Sequence, residues 1–262
     1  MKQARDVATA GSESPAREID VSPFDLGSGD AAALCLHGLT GTPYEIRPVG
    51  EAIARHGMRA VGPALPGHNA TPEALAGVTH DEWLESARAE LHALRAEHER
   101  VFVAGLSLGG LLTLALAQDE EIDAIAVIGT PLRLRFLVER IVPLLKGVFP
   151  FARKASGSDI RDEPARQRHP SYDVMPLAAV HELLRLQRRV RAGLSRVTAP
   201  ILVAHGAHDT TAQPGDARVI LDEVASGVRE FVLLESSAHV VPVDRDGPRL
   251  ALSVAEFFAR RT

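Results

Sequence analysis

The pentapeptide GLSLG at residues 105–109 lies between a predicted strand and a predicted helix, and few folds can accommodate it there. The apolar, β-branched segment 100–104 precedes it and predicts a buried strand, whereas LGGLLTLALAQ at 108–118 predicts a buried helix. A serine between a strand and a helix lies on a sharp turn that exposes its hydroxyl. We therefore predict that Ser107 is a nucleophile. The alternative is a Gly/Ser loop that caps a helix.

The two glycines that flank this serine have a steric reason to be glycine. The backbone of Ser107 is expected to be strained, and a side chain at Gly105 or Gly109 would collide with the neighbouring strand or helix.

Apolar strands alternate with helical patterns from residue 31 to the end of the chain. Strands are predicted at 31–36, 58–61, 100–104, 124–129, 201–204 and 231–234, and helices at 42–56, 79–97, 108–118, 216–225 and 248–260. Each strand is almost entirely apolar, as in a parallel sheet covered on both faces. We predict an α/β fold with a mainly parallel sheet and helices on both faces.

Two segments lie outside this alternation. Residues 1–29 are polar and rich in Gly, Ser and charged residues, which predicts a flexible N-terminal tail before a domain at 30–262. Residues 131–196 are mostly helical in pattern and predict an insertion that forms a small cap.

Composition excludes several classes of function. A net charge of −5 without a dominant basic stripe argues against nucleic acid as a partner. The single cysteine, Cys35, lies inside a strand and is predicted to be a buried core thiol rather than a nucleophile. The N-terminus has no apolar signal region, and no apolar run reaches the roughly 18 residues of a membrane span. We expect a cytoplasmic protein.

A serine hydroxyl needs an imidazole to take its proton, and the imidazole needs an acid to orient it. Asp209 follows the predicted strand 201–204, and His239 follows the last predicted strand. These positions give the order Ser, Asp, His at the carboxyl ends of successive strands. Asp216 lies nearby but is predicted to be the N-cap of the next helix. Asp244 and Asp246 follow His239 too closely for this order.

The developing oxyanion of an acyl transfer needs backbone N–H donors that are held in place beforehand. One donor follows the nucleophile and the other follows an early strand, which predicts Leu108 and Leu39. His37, which ends that early strand, is predicted to be structural.

Two further side chains, His68 and Trp83, are predicted to be structural. His68 lies in a Gly/Pro-rich loop, and Trp83 lies on an amphipathic helix where core packing is expected. The H-x-x-H pair His205 and His208 beside Asp209 lacks a further ligand for a closed metal site. We predict no metal and no cofactor.

Five motifs, read together, resemble one group of enzymes. They are HGLTGTP (37–43), PALPGH (63–68), GLSLGG (105–110), HD (208–209) and SAH (237–239). From about residue 31 to the C-terminus, the chain resembles the bacterial carboxylesterase and monoacylglycerol lipase group of α/β-hydrolases. The resemblance implies an α/β-hydrolase fold with a helical cap, a triad of Ser107, His239 and Asp209, an oxyanion hole at Leu39 and Leu108, and no cofactor.

The leading hypothesis is a serine hydrolase that cleaves carboxylic esters of short to medium acyl chains through an acyl-enzyme. A monoacylglycerol lipase, an acyltransferase and a C–C bond hydrolase would use the same three residues. A catalytically silent binding module is the alternative from another class, and it usually lacks the nucleophile or the histidine. Haloalkane dehalogenases and epoxide hydrolases carry Asp in place of Ser107.

The first part of the predicted cap carries more apolar side chains than a small insertion can bury within itself. We expect some of them to line an acyl pocket or to contact a lipid surface, and a dimer interface is the competing explanation. These residues are Leu132, Leu134, Phe136, Leu137, Ile141, Val142, Leu144, Leu145, Val148, Phe149 and Phe151, with Arg133, Arg135, Arg140 and Lys146 at the rim. The oligomeric state does not follow from the sequence.

Overall fold

A computed structural model describes residues 19–134, 136–153 and 157–262. Seven strands form one sheet in the order β1-β3-β2-β4-β5-β8-β9, parallel except for the edge strand β1. They are β1 Phe24–Leu26, β2 Ala31–Leu36, β3 Arg59–Gly62, β4 Arg100–Leu106, β5 Ala124–Ile128, β8 Ile201–Gly206 and β9 Arg229–Leu234. The remaining strands, β6 Phe151–Arg153 and β7 Val174–Pro176, form a separate antiparallel pair.

Helices connect these strands and cover the sheet. They are α1 Arg47–Arg55, α2 Pro72–Ala76, α3 His80–Glu97, α4 Leu108–Asp119, α5 Phe136–Leu145, α6 Glu163–Arg168, α7 Leu177–Gly193, α8 Pro214–Glu223 and α9 Gly247–Ala259. None of the helices in the described part of the chain is long and apolar enough to cross a membrane.

Successive side chains of β2 point to opposite faces of the sheet, and both faces are buried. Ala32, Leu34 and Leu36 belong to one apolar cluster, which includes residues of α3, α4 and α7. Ala33 and Cys35 point the other way, into a second cluster that includes residues of α1 and α9. The predicted sheet with helices on both faces is therefore confirmed. Cys35 is fully buried, and burial raises the pKa of its thiol to about 12.

Helix α3 begins where its sequence signal predicts. The Thr79 hydroxyl accepts a hydrogen bond from the Glu82 N–H, and the Glu82 carboxylate accepts from the Thr79 N–H at 2.8 Å. This reciprocal arrangement is a capping box, which satisfies two N–H groups that a helix start leaves without acceptors.

Three local predictions need correction. Strand β1 lies within the segment expected to be a flexible tail, so the predicted boundary at residue 30 is too late; residues 1–18 lie outside the described range. The predicted helix 42–56 consists of a 3-10 turn at Pro43–Glu45 followed by α1. Asp216 does not cap α8, because Pro214 starts that helix earlier, after Gln213. The Asp216 carboxylate instead accepts the Leu132 N–H at 2.9 Å.

The insertion between β5 and β8 contains α5, the β6–β7 pair, α6 and α7. Its pattern predicts mostly helix, and the β6–β7 pair was not expected. Helix α7 packs against α4, the helix that follows Ser107, and against α5. The insertion therefore supplies a wall close to the nucleophile.

Candidate active site

The turn between β4 and α4 holds Ser107 in a backbone conformation that residues other than glycine rarely adopt, with φ 53° and ψ −108°. A Cβ atom at Gly105 would lie 2.2 Å from the Gly109 carbonyl oxygen, and one at Gly109 would lie 2.1 Å from the Leu36 carbonyl oxygen. Only glycine fits either position without a shift of backbone. The predicted steric reason for both glycines is confirmed.

The structure brings Ser107, His239 and Asp209 together from three separate loops. His239 Nε2 lies 2.9 Å from Ser107 Oγ, and His239 Nδ1 lies 2.8 Å from Asp209 Oδ2. All three residues are buried. Both distances allow hydrogen bonds, so the imidazole can accept the serine proton while the carboxylate fixes its tautomer.

The electrostatic surroundings make His239 a stronger base and keep Asp209 ionised. Burial alone would lower the pKa of His239, but the charge and hydrogen bond of Asp209, with Asp159 and Glu45, raise it above its usual 6.5. Burial alone would raise the pKa of Asp209. The charge of His239 and the hydrogen bonds from His205, His239 and the Ala212 N–H outweigh burial, and the pKa of Asp209 falls well below its usual range.

A second imidazole contacts the same carboxylate, and sequence reasoning missed it. His205 Nε2 lies 3.2 Å from Asp209 Oδ2, and the side chain is almost fully buried. Oδ1 of Asp209 accepts N–H groups of Thr211 at 2.8 Å and Ala212 at 2.7 Å. The spacing H-x-x-x-D was the available signal, but it was considered only as part of a metal site.

Asp159, from the insertion, joins the loops that carry Asp209 and His239. Its backbone carbonyl accepts the His239 N–H at 3.0 Å, and its carboxylate accepts the Thr210 N–H at 2.8 Å. No pattern in the sequence marks Asp159, because its partners come from distant parts of the chain.

The two predicted oxyanion donors lie beside the serine. Leu39 and Gly38 line the cavity that contains Ser107. Leu108 is the first residue of α4, so its N–H has no acceptor within the helix. The His37 imidazole holds the start of the Leu39 loop: Nδ1 lies 2.9 Å from the Gly38 carbonyl oxygen, and Nε2 accepts the Leu65 N–H at 3.1 Å. His37 is therefore structural, as predicted.

The other side chains predicted to be structural have such contacts. His68 packs edge-on against His37, and burial lowers the pKa of His68 to about 3. Trp83 is fully buried and donates from its indole N–H to the Pro66 carbonyl. The Asp244 carboxylate accepts the Ala238 N–H at 2.7 Å, and that of Asp246 accepts the Ser236 N–H. Within the described ranges, no group of three or more His, Cys, Asp or Glu side chains could hold a metal ion.

A cavity of about 340 Å³ opens beside Ser107. One wall is apolar and comes mainly from the insertion, with Leu106, Leu134, Val138, Met175, Val180 and Leu183. The other wall is polar, with Thr40, Glu45, Ser158, His169 and Ser171. Sequence reasoning did not identify the polar wall, because its members lie far apart in the chain.

The chain is similar in sequence to proteins of known activity. The model of the family described as serine aminopeptidase, S33 matches residues 27–246. A thermostable monoacylglycerol lipase from Bacillus sp. (strain H-257) is 31% identical over 239 residues, covering 91% of this chain and 94% of the relative. A carboxylesterase from Bacillus subtilis (strain 168) is 26% identical over 240 residues, with coverage of 91% and 96%.

Solved structures show the same similarity. A structure from work on the metagenome-derived lipolytic enzymes LipS and LipT has a TM-score of 0.86 at 28% identity, covering 92% of this chain and 98% of that one. A monoacylglycerol lipase from Paleococcus ferrophilus has a TM-score of 0.79 at 16% identity, covering 93% and 100%, which supports the fold alone.

Proposed function

Because the chain belongs to the serine aminopeptidase S33 family and has the α/β-hydrolase fold, we propose that Ser107, His239 and Asp209 form a catalytic triad that cleaves carboxylic esters. The relatives named above are a lipase and a carboxylesterase, and the chain is a carboxylic ester hydrolase. The observation that carries the proposed triad is the pair of contacts on His239, 2.9 Å to Ser107 Oγ and 2.8 Å to Asp209 Oδ2.

The proposed reaction has two halves. Ser107 Oγ attacks the ester carbonyl carbon while His239 Nε2 takes the hydroxyl proton, and the new oxyanion accepts N–H groups of Leu39 and Leu108. Collapse of this tetrahedral intermediate breaks the ester bond, and the leaving alcohol takes the proton from His239. Water then attacks the acyl-enzyme and gives a proton to the same nitrogen. As the second tetrahedral intermediate collapses and releases the acid, His239 returns this proton to Ser107 Oγ. Asp209 stabilises the imidazolium in both halves.

The size and lining of the cavity support esters of short to medium acyl chains. A volume of about 340 Å³ is at the small end for pockets that bind organic ligands. The acyl chain is assigned to the wall of Leu134, Val138 and Val180, because burial of methylene groups there stabilises binding.

The first test is hydrolysis of p-nitrophenyl esters from acetate to palmitate. We expect a rate that peaks at one chain length and a loss of kcat by about 10⁴ to 10⁶ in Ser107→Ala. Ser253→Ala, in α9, is the matched serine control and keeps wild-type turnover. Near wild-type turnover in Ser107→Ala contradicts the mechanism. Absence of Ser107-dependent hydrolysis at every length favours a C–C bond hydrolase, a narrow acyltransferase or a silent binder.

One observation favours a monoacylglycerol lipase as the second candidate. The cavity lining includes Ser158, His169 and Ser171, with which hydroxyls of a polyol leaving group can form hydrogen bonds. The relative from Bacillus sp. is named a monoacylglycerol lipase. A glycerol monoester and the methyl ester of the same acid separate the candidates: we expect a several-fold higher kcat/KM for the glycerol ester. Product analysis with added alcohol detects acyl transfer.

A transient contact with a lipid surface is proposed for the outer side of the insertion. Ile141, Leu144, Leu145, Val148 and Phe149 are exposed, with Leu144 at 78% and Val148 at 71%. Lys146 lies among them and suits an anionic surface. Leu134, Val138 and Val142 instead face inward, and the side chains of Phe136 and Leu137 lie outside the described set.

A further inference from the structure

The loop that carries Leu39 is folded around a single buried carboxylate. The Gly38 N–H donates to Glu45 Oε2 at 2.9 Å. A Cβ atom at Gly41 would lie 2.1 Å from the same oxygen, so only glycine lets the loop close over it. Thr40, between them, has a positive φ of 63°. The Glu45 side chain therefore holds one end of the short segment that contains Leu39 by a hydrogen bond and packs closely against the other end.

The insertion contacts the same carboxylate from the other side. His169 Nε2 lies 3.0 Å from Glu45 Oε1, and their side chains are 2% and 4% exposed. The ring is not aligned for a direct hydrogen bond from Nε2, so the two side chains form a close polar contact instead. Ser158 Oγ lies 2.6 Å from His169 Nδ1 and fixes the ring, and Ser171 Oγ donates to the Thr40 carbonyl at 3.2 Å.

A buried charge is costly unless its surroundings compensate it, so the ionised form of Glu45 depends on the groups that contact it. Burial alone would raise the pKa of Glu45. The close contact with His169 and the Gly38 N–H outweigh burial and lower it, which keeps the carboxylate ionised. Its negative charge also contributes to the raised pKa of His239. Glu45 lines the cavity, yet its oxygens face the loop and the insertion rather than Ser107 Oγ.

We propose that Glu45 is a positioning residue that holds the Leu39 N–H where the oxyanion forms, and that His169 couples this loop to the insertion. The inference rests on the proposed esterase function. Because the oxyanion exists only in the transition state, a displaced donor lowers kcat and leaves substrate binding unchanged.

The test uses p-nitrophenyl acetate, whose leaving group carries no hydroxyls for the polar wall. Glu45→Ala is expected to lower kcat about tenfold to a hundredfold and to change KM less than about twofold, since removal of one oxyanion donor costs about 10² to 10³. Glu45→Gln retains an acceptor for the Gly38 N–H and recovers most of that loss. In Glu45→Gln the acid limb of the kcat/KM profile moves to lower pH, because a negative charge near His239 is gone.

His169→Ala tests the coupling. We expect a smaller loss of kcat than in Glu45→Ala, and a double variant no worse than Glu45→Ala, because both changes act through one contact. Additive losses, or a change in KM alone, overturn the inference.

Glu182→Gln is the matched control, since it weakens another carboxylate–imidazole contact of the insertion, with His80 Nδ1 at 2.6 Å, away from the Leu39 loop. It should keep the wild-type kcat. If the kcat of Glu182→Gln falls as far as that of Glu45→Ala, the loss in Glu45→Ala reflects general destabilisation and contradicts the positioning role.

A fluorophosphonate probe reacts with an activated serine without an ester substrate. It therefore distinguishes failure of the proposed function from failure of the positioning role of Glu45. No labelling of wild-type Ser107 contradicts the proposed function. Labelling of the wild type and of Glu45→Ala at equal rates contradicts the positioning role and leaves the function intact. A labelling rate at least about tenfold lower in Glu45→Ala, with an unchanged unfolding midpoint, supports it.

Discussion

The two carboxylate oxygens of Asp209 have different partners. One oxygen faces two imidazoles, His239 and His205, and the other accepts two backbone N–H groups. This environment stabilises the charged carboxylate more than burial opposes it, so the acid stays ionised whenever His239 titrates. We therefore expect a single protonation, that of His239, to govern activity on the acid side.

That balance gives the pH prediction. His239 must be neutral to accept the serine proton, and its pKa is raised above 6.5. As the pH falls through the raised pKa, the base is lost, so kcat/KM should fall with a midpoint above 6.5. A profile measured on p-nitrophenyl acetate checks this, and a midpoint at or below 6.5 contradicts it.

Asp209→Asn tests the cause of the shift. The amide removes the charge that stabilises the imidazolium and favours the wrong tautomer, so we expect kcat to fall by about 10⁴. The residual activity should titrate at lower pH than in the wild type, because burial of His239 then lacks its main opposing charge. An unchanged profile would show that Asp209 does not set the pKa.

At the level of helices and strands, close packing of α4 on the sheet dictates which residues can start it. Gly109 is the second residue of α4, and the neighbouring strand leaves no space for a Cβ atom. Gly215 is the second residue of α8, is exposed, and has no atom within 4 Å of a Cβ at its position. The two glycines occupy equivalent helical positions and differ in the space around them.

Replacement of each glycine by alanine should therefore have opposite effects. Gly109→Ala should lower the free energy of unfolding by at least about 2 to 3 kcal/mol, because backbone must move. Gly215→Ala should raise it by about 0.5 to 1 kcal/mol, since alanine is the better helix former. Urea unfolding of both variants checks this, and equal stabilities would contradict the steric argument.

Across the whole molecule, the insertion has an inner and an outer side. Its inner side lines the cavity with Val138 and Val180, and its outer side exposes Leu144, Val148 and Phe149. An apolar patch of this kind is typical of a surface that meets a membrane or another protein. Access to the site and attachment to a lipid surface would then depend on the same element.

The corresponding prediction concerns Leu144→Asp combined with Val148→Asp. We expect unchanged turnover of soluble p-nitrophenyl acetate and a several-fold loss on a monoacylglycerol presented in anionic vesicles, because apolar contact with the surface is reduced. Leu252→Asp, at an exposed leucine of α9, is the control and should lose neither activity. A wild-type dimer that the double variant converts to a monomer would instead support the dimer interface.

The six parallel strands of the main sheet, the main helices that cover it and the positions of Ser107, Asp209 and His239 could be predicted because each has a local signal. Apolar runs mark strands, a capping box marks the start of α3, and the serine turn requires glycine at fixed neighbours. Parallel strands bring their carboxyl ends to one edge, so residues that follow successive strands meet there.

Glu45, His169 and Asp159 could not be assigned roles in this way, and only the packed chain brought them to the site. Their partners are set by how the insertion lies on the sheet, which depends on apolar burial. Burial is non-directional and carries no local sequence signal for the polar pairs that it encloses. The sequence therefore determined the fold and the reacting groups, whereas tertiary packing decided which groups hold the Leu39 loop and line the cavity.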